Sequence, residues 1–424
     1  MVGAALRPRV DDERIGEFAM PIELAAHSEA GTRLVAIAEG LYPQLATRAA
    51  AHDRDGSYPF EAIDALKAAG YFAAPVPVEL GGLGVSSAHD LVVASSRLAR
   101  GDASVTIGVN MHLVAVLNME RRREVALAAG AERRARAFAA SLEQIAHHGV
   151  VLAAAISEPR QDLMRPATRA TRTKSGWRID GRKIFCTMSP AATDLYVAVT
   201  YADGEGTERY AYAMVPTDAP GVVVHDDWDA LGMRASGSNS VSLDGVELLE
   251  SGVRGGFRVG DPLPYMERNL VAGLFHAAAS LGIAESADQL ARQGIAGRVN
   301  GDARPRMQVA DNAIDLAASR GVLSRAAALI DEHRTANRAS DGSAEELGAL
   351  FAEAQAAKAF VNEAAARIVD RALALSGGAG YVNGSPLARA YCDVKAGSFM
   401  HPLGANRAYD YLGHVALGEE TSLH

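Results

Sequence analysis

Cysteine is nearly absent from this sequence: its 424 residues include two, Cys186 and Cys392. They lie far apart, without the paired spacing of a metal site or a dithiol redox motif. Each is expected to be a small, unreactive residue in a reducing compartment. Also missing is any run approaching the roughly 20 apolar residues of a membrane span. The N-terminus offers Arg7 and Arg9 but continues Asp11-Asp12-Glu13, with no apolar stretch of a signal peptide. Neither export nor membrane insertion is expected, and the expected location is cytoplasmic. Positive charge is in deficit, since 42 Lys and Arg against 51 Asp and Glu give a formal net charge of -9. A general nucleic-acid binder needs a basic surface to displace counterions from phosphate, so nucleic acid is not an expected partner. No short repeat or low-complexity tract is present.

What remains is an ordinary globular composition, 49% hydrophobic and 22% charged, long enough for a large core and two or three domains. From about residue 20 to 150, apolar residues recur at helical spacing, as in Phe60, Ile63 and Leu66 or Leu91, Val92, Ser95 and Leu98. Pro75 to Val85 gathers Pro75, Pro77, Gly81, Gly82 and Gly84 into a turn between helices. From about 151 the period changes to two, in runs such as Asp194 to Thr200 and Tyr210 to Val215. Ser175-Gly176, Asp180-Gly181, Asp203-Gly204 and Asp244-Gly245 punctuate these runs as turn signals. Helical periodicity returns from about 262. The expected fold class is α+β: an N-terminal helical domain (1–150), a central antiparallel β-barrel or sandwich (151–254) and a C-terminal helical bundle (255–424). Arg121-Arg122-Arg123 with Arg133, Arg134 and Arg136 reads as a solvated helix face partnered by Glu120, Glu124 and Glu132.

Local signatures in this order resemble the acyl-CoA dehydrogenase superfamily over nearly the whole chain. Pro77-Val78-Glu79-Leu80-Gly81-Gly82-Leu83-Gly84 is similar to the family's early turn, and Ser157-Glu158-Pro159 to its Thr-Glu-Pro segment. Asp180-Gly181-Arg182-Lys183-Ile184-Phe185-Cys186-Thr187 resembles its Asn-Gly-x-Lys-x-Trp-Ile-Thr strand. Gly377-Gly378-Ala379-Gly380-Tyr381 resembles its Gly-Gly-x-Gly-Tyr turn. The resemblance implies a flavin, FAD in the leading reading, between the sheet domain and the C-terminal helices. Ser157 and Thr187 would bond the polar edge of the ring, with Phe185 in the place of the usual Trp. Gly377, Gly378, Arg298 and Gln308 fall at positions that hold the nucleotide end across a subunit contact. A homo-oligomer, dimer or tetramer, is therefore expected.

Acyl-thioester dehydrogenation needs a carboxylate basic enough to take an α-proton while hydride leaves for the flavin. Most of the family supplies it from a Glu-Gly-Thr segment, but here the matching residue is His401. A minority branch uses a Glu in a Glu-Arg-Leu-Val-Leu-Ala-Gly context, which resembles Glu267-Arg268-Asn269-Leu270-Val271-Ala272-Gly273. Glu267 is thus the candidate base. The leading expectation is an FAD-dependent dehydrogenase of an acyl thioester, on CoA or a carrier protein, delivering electrons to an electron-transfer flavoprotein. The alternative is the family's two-component monooxygenase or N-hydroxylase branch, which takes FMNH2 or FADH2 from a separate flavin reductase and uses O2. Loss of nucleotide contacts favours that alternative: Arg298-Val299-Asn300-Gly301 replaces Arg-x-x-Phe-Gly, and Ala374 replaces a Gln. His112 and His401 are the histidines to follow, although a lone His on an apolar helix is more often a satisfied core residue.

Overall fold

The computed structural model describes residues 22–160, 162–296 and 303–423. Among them the chain opens with helices α1 (Glu29–Asp55), α2 (Phe60–Ala68), α3 (Ala88–Ala99), α4 (Ala103–Ala128) and α5 (Glu132–His148). Side-chain oxygens start three of these: Ser28, Ser87 and Asp102 accept from Gly31, Asp90 and Val105 N–H, satisfying donors that a first turn leaves unpaired. The Pro75 to Val85 stretch folds as a turn, as its glycines predict, with short 3-10 segments at Tyr71–Ala73 and Val78–Leu80.

An eight-stranded sheet follows: β1 (Leu152–Ala155), β2 (Arg169–Arg172), β3 (Gly176–Cys186), β4 (Asp194–Ala202), β5 (Glu208–Pro216), β6 (Val222–Val224), β7 (Asn239–Leu249) and β8 (Val253–Arg258). The order is β6-β7-β3-β2-β4-β5-β8, with β1 also paired to β4. Its pairs are antiparallel except β1–β4 and β2–β4, which run parallel. Two of the four turn signals are not turns. Asp180-Gly181 and Asp244-Gly245 lie inside β3 and β7, where the register shifts between Ile179 and Gly181. Gly245, at φ 63°, supplies the left-handed residue of that irregularity, and its N–H reaches the Asp180 carboxylate at 2.8 Å. Asp-Gly here marks a bulge, which resembles a hairpin turn in sequence.

The last part is helical again: α6 (Pro262–Asn269), α7 (Ala272–Ile295), α8 (Ala303–Ala336), α9 (Ala344–Ser376), α10 (Gly378–Tyr381), α11 (Pro386–Val394) and α12 (Ala405–Leu417). The observed succession of helices, sheet and helices is the expected α+β class. Helix α7 is its axis, buried nearly throughout and packed against α3, α4, α8 and α9. Small residues permit the close approach: a Cβ on Gly282 would sit 2.3 Å from the Ser96 carbonyl on α3. The expected lack of a span-length apolar stretch does not hold: Pro262–Ile295 is long and apolar enough by composition to cross a membrane, but 94% of its apolar window is buried within the protein. A core helix sheathed by other helices needs the same apolar composition as a membrane span.

His112 on α4 joins the helical and sheet regions. Its Nδ1 accepts the Leu152 N–H of β1 at 3.0 Å and its Nε2 donates to the Phe72 carbonyl at 3.0 Å. Burial, the main cause, pushes its pKa down to about 4. It is therefore a satisfied core residue. Its depressed pKa makes the unfolded chain bind more protons below about pH 6.5, so stability should fall as the pH drops from there toward about 4. In urea titrations His112→Leu should lose roughly 1–3 kcal/mol for each backbone group left unpaired. The variant should also show a shallower loss of stability between neutral and acidic pH than the wild type.

Candidate functional site

A pocket of about 450 Å³ opens between the sheet and the C-terminal helices. Ser157, Glu158, Leu163, Ile184 and Phe185 form the sheet wall; Phe399, His401, Pro402, Gly404, Asn406 and Arg407 form the helical one. Ser157 follows β1, and its carbonyl accepts the Ile184 N–H of β3 at 2.9 Å, which sets the two strand ends side by side. The Ser157 hydroxyl makes no hydrogen bond among the described residues. Phe185 takes a left-handed backbone conformation, φ 55°, which costs a non-glycine residue on the order of 1 kcal/mol or more. The ring is consequently turned outward, 57% exposed, edge-on to Trp228 at 5.9 Å. Thr187 lies two residues on, where its Oγ1 accepts from Ser238 Oγ at 3.0 Å.

The carboxylate of Glu158 is fully committed. It meets Lys183 Nζ at 2.6 Å and accepts from Thr168 N–H, Thr168 Oγ1 and Ala167 N–H. Burial alone would raise its pKa, but Lys183 and these donors hold it below the usual carboxylate range. On the opposite wall the His401 ring is 2.8 Å from Asn269 Oδ1. Burial, with the Lys358 ammonium behind it, pushes the imidazole pKa down to about 3.

The predicted residues separate into groups. Ser157, Phe185 and His401 meet at the pocket, with Thr187 next to Phe185. Glu267 does not line it. This carboxylate, 3% exposed, is held by Arg122 at 2.6 Å, with Arg121 Nε at 3.8 Å. That finding corrects the solvated reading of the arginine run: Arg121 is buried and Arg122 nearly so, because they neutralise Glu267. Arg123 does pair with Glu120 and Arg136 with Glu132. Gln308 is half-buried near the start of α8. Gly377 and Gly378 are exposed beyond α9, and the φ 63°, ψ -153° of Gly377 is accessible essentially to glycine alone. Arg298 lies outside the described residues.

Sequence reasoning missed Arg407, Asn269 and Lys358. Two of these carry a signal. Asn269 stands where the minority-branch motif has Leu, and Lys358 is a solitary charge in the apolar run Ala356-Ala357-Lys358-Ala359-Phe360. Arg407, at the start of a short helix, carries none.

The pocket suits a flavin ring. The outward Phe185 and the 82% exposed Phe399 give it apolar flanks, and the Ser157 hydroxyl and Arg407 give a polar edge to meet carbonyl and ring nitrogens.

Comparison with known proteins fits this geometry. The acyl-CoA dehydrogenase N-terminal, middle and C-terminal domain families match residues 36–121, 153–246 and 264–406. Amino sugar nitrososynthase DnmZ of Streptomyces peucetius is 34% identical over 393 residues, covering 92% of this chain and 94% of that protein. L-evernosamine nitrososynthase of a Micromonospora species is 34% identical over 400 residues, 92% of this chain and 91% of that protein. The solved structure of KijD3 in complex with FMN and dTDP-3-amino-2,3,6-trideoxy-4-keto-3-methyl-D-glucose superposes with a TM-score of 0.85. It is 31% identical, covering 93% of this chain and 96% of that one.

The setting of Glu267 makes a test. Glu267→Gln leaves Arg121 without a carboxylate partner and Arg122 with Asp341 alone, and breaking such a buried pair costs about 3–5 kcal/mol. Thermal and urea unfolding should show that loss, with flavin affinity of the remaining folded protein close to wild type. A variant as stable as wild type but catalytically dead would instead return Glu267 to the role of base.

Proposed function

The chain belongs to the acyl-CoA dehydrogenase family as a flavin-dependent oxidoreductase, and within that family we propose that it is a monooxygenase of amine nitrogen. Its substrate on this reading is a small amine, in particular an amino sugar carried on a nucleotide. The observation that carries the proposal is the absence of a competent carbon-acid base among the described residues lining the pocket. Glu158 is neutralised by Lys183, and Glu267 is turned away onto arginines. His401, with a pKa near 3, is far too weak a base to take the α-proton of a thioester. The relatives named as nitrososynthases, and KijD3 with its bound FMN and nucleotide amino sugar, support the same choice.

Ser157, Phe185, Phe399 and Arg407 would hold the flavin ring, with Thr187 steadying the Phe185 backbone. Reduced flavin from a separate reductase would supply the two electrons that activate O2, so that one oxygen atom goes to nitrogen and the other leaves as water. The protein's own part is to bind and orient. Neutral His401 accepts an N–H hydrogen bond from the amine and so directs the nitrogen lone pair. Lys358 and Arg407 add a positive field that disfavours the ammonium form of a bound amine, and nitrogen attacks through the lone pair that ammonium lacks. Leu163 and Pro402 exclude water from the walls.

Arg298, Gln308, Gly377 and Gly378 then belong to a neighbouring subunit's flavin site. Exposed apolar side chains near Gln308 and Gly378 in the chain, Met307, Ile314, Tyr381 and Val382, support a homo-oligomeric contact there. Light scattering at micromolar concentration should give a dimer or tetramer, and a monodisperse monomer would count against that contact.

The functional test is anaerobic stopped-flow absorbance on protein loaded with oxidised flavin. A panel of short, branched and carrier-bound acyl thioesters should leave the flavin band unbleached. Rapid bleaching by any one of them, without NAD(P)H, would restore the dehydrogenase reading.

A further inference from the structure

We propose that Asn269 and Lys358 are positioning residues that fix His401 as the neutral imidazole protonated on Nε2, leaving Nδ1 as the ring's hydrogen-bond acceptor. Asn269 is the last residue of α6. Its Nδ2 lies 2.8 Å from the Tyr265 carbonyl one turn earlier. A carbonyl only accepts, so the amide is oriented with its N–H2 toward Tyr265 and its Oδ1 toward His401. That Oδ1, 2.8 Å from His401 Nε2, is itself only an acceptor. The hydrogen between them therefore sits on His401 Nε2.

Lys358 acts on the same ring from α9. It is 2% exposed, and its Nζ donates to the carbonyls of Met400, His401 (3.3 Å) and Leu403 (2.7 Å), holding the backbone on both sides of the imidazole. Gly273 on α7 makes room for it: a Cβ there would lie 3.1 Å from Lys358 Cδ and 3.5 Å from Pro402 Cδ. Among the described residues no carboxylate forms an ion pair with Lys358. Burial pushes its pKa down to about 7, and in the protonated form that prevails below neutral pH its charge faces the imidazole uncompensated and opposes a second proton on the ring.

The other groups around His401 agree. Tyr265 packs edge-on at 6.1 Å, and His276 on α7 is buried and held neutral, by burial first and then by Lys358. Arg407 on α12 adds positive charge across the pocket, and Glu158 is spent on Lys183. Among the described residues, none that faces the ring favours imidazolium. A histidine at a base position is thus converted into a fixed hydrogen-bond acceptor. Its use in turnover rests on the amine-oxidation reading, whereas the tautomer itself does not.

The test is long-range ¹H–¹⁵N correlation on flavin-free, ¹⁵N-histidine-labelled protein, with His401 assigned as the resonance lost in His401→Gln. At neutral pH the wild type should show a protonated Nε2 and a bare Nδ1, unchanged down to mildly acidic pH. Asn269→Asp keeps the shape but places a carboxylate on Nε2–H. It should raise the His401 pKa by about 1–3 units, the effect of an adjacent opposite charge, and add a matching acidic limb to the kcat/KM profile. Asn269→Leu should release the tautomer into a mixture, and Lys358→Met should raise the His401 pKa while leaving Nε2 protonated. A wild-type ring that is imidazolium or carries its proton on Nδ1 would overturn the proposal, as would an unaltered tautomer in Asn269→Leu. If the tautomer is as stated but no amine is oxidised, the functional reading fails and the tautomer assignment stands.

Discussion

A carboxylate removed from water must be matched by cations or N–H groups, and this requirement organises the whole molecule. On α7, Glu285 meets Arg100 at 2.7 Å and Arg320 at 2.7 Å, tying α3 and α8 to the axial helix. On α8, Asp331 accepts from Ser87 Oγ and Ala88 N–H, each at 2.7 Å, and so completes the start of α3. Asp90 in turn accepts from His27 and Ser28 N–H and fixes the entry of α1. The same rule shapes the pocket. Glu158 pins the end of β1 to Lys183 of β3, and Glu267 anchors α6 to α4 through Arg122. Each carboxylate that holds an element in place is thereby withdrawn from proton chemistry. On the proposed reading, the architecture and the choice of reaction therefore have one physical origin.

This explains what kind of oxidation the site can perform. Removing a carbon-bound proton needs a basic group with its lone pair free, and the basic groups here are spent on holding helices and strands together. Oxygenating an amine nitrogen needs less from the protein. It requires an acceptor to orient the N–H and a field that does not favour ammonium, and on the proposed reading His401, Lys358 and Arg407 supply these.

Much of the fold is legible in the sequence, because the hydrophobic period changes from helical to alternating and back, and periodicity reports which faces are buried. The exceptions have identifiable causes. Asp180-Gly181 and Asp244-Gly245 carry the composition of a hairpin turn while serving as a mid-strand bulge. The stretch through α7 carries the composition of a membrane span, because burial by helices and burial by lipid select the same side chains. At the site, Ser157, Phe185 and His401 are legible from the order of local signatures. Glu267 matches a motif in sequence, but motif spacing does not reveal that Arg121 and Arg122 of α4, separated from it in sequence by α5 and the whole sheet, fold inward onto its carboxylate. Asn269 and Lys358 are visible only as a polar residue in an apolar motif and a lone charge in an alanine-rich helix. Their meaning comes from a tertiary contact with the His401 loop.

The central claim is that this pocket transfers oxygen to nitrogen. Its most direct test is mass spectrometry of the product formed under ¹⁸O2, with reduced flavin supplied by a reductase and a nucleotide-linked amino sugar as substrate. The first oxidation product, the hydroxylamine, should carry one ¹⁸O atom on nitrogen, and none should arrive from labelled water in the matched experiment. A product that gains no oxygen and instead carries a new carbon–carbon double bond would contradict the claim.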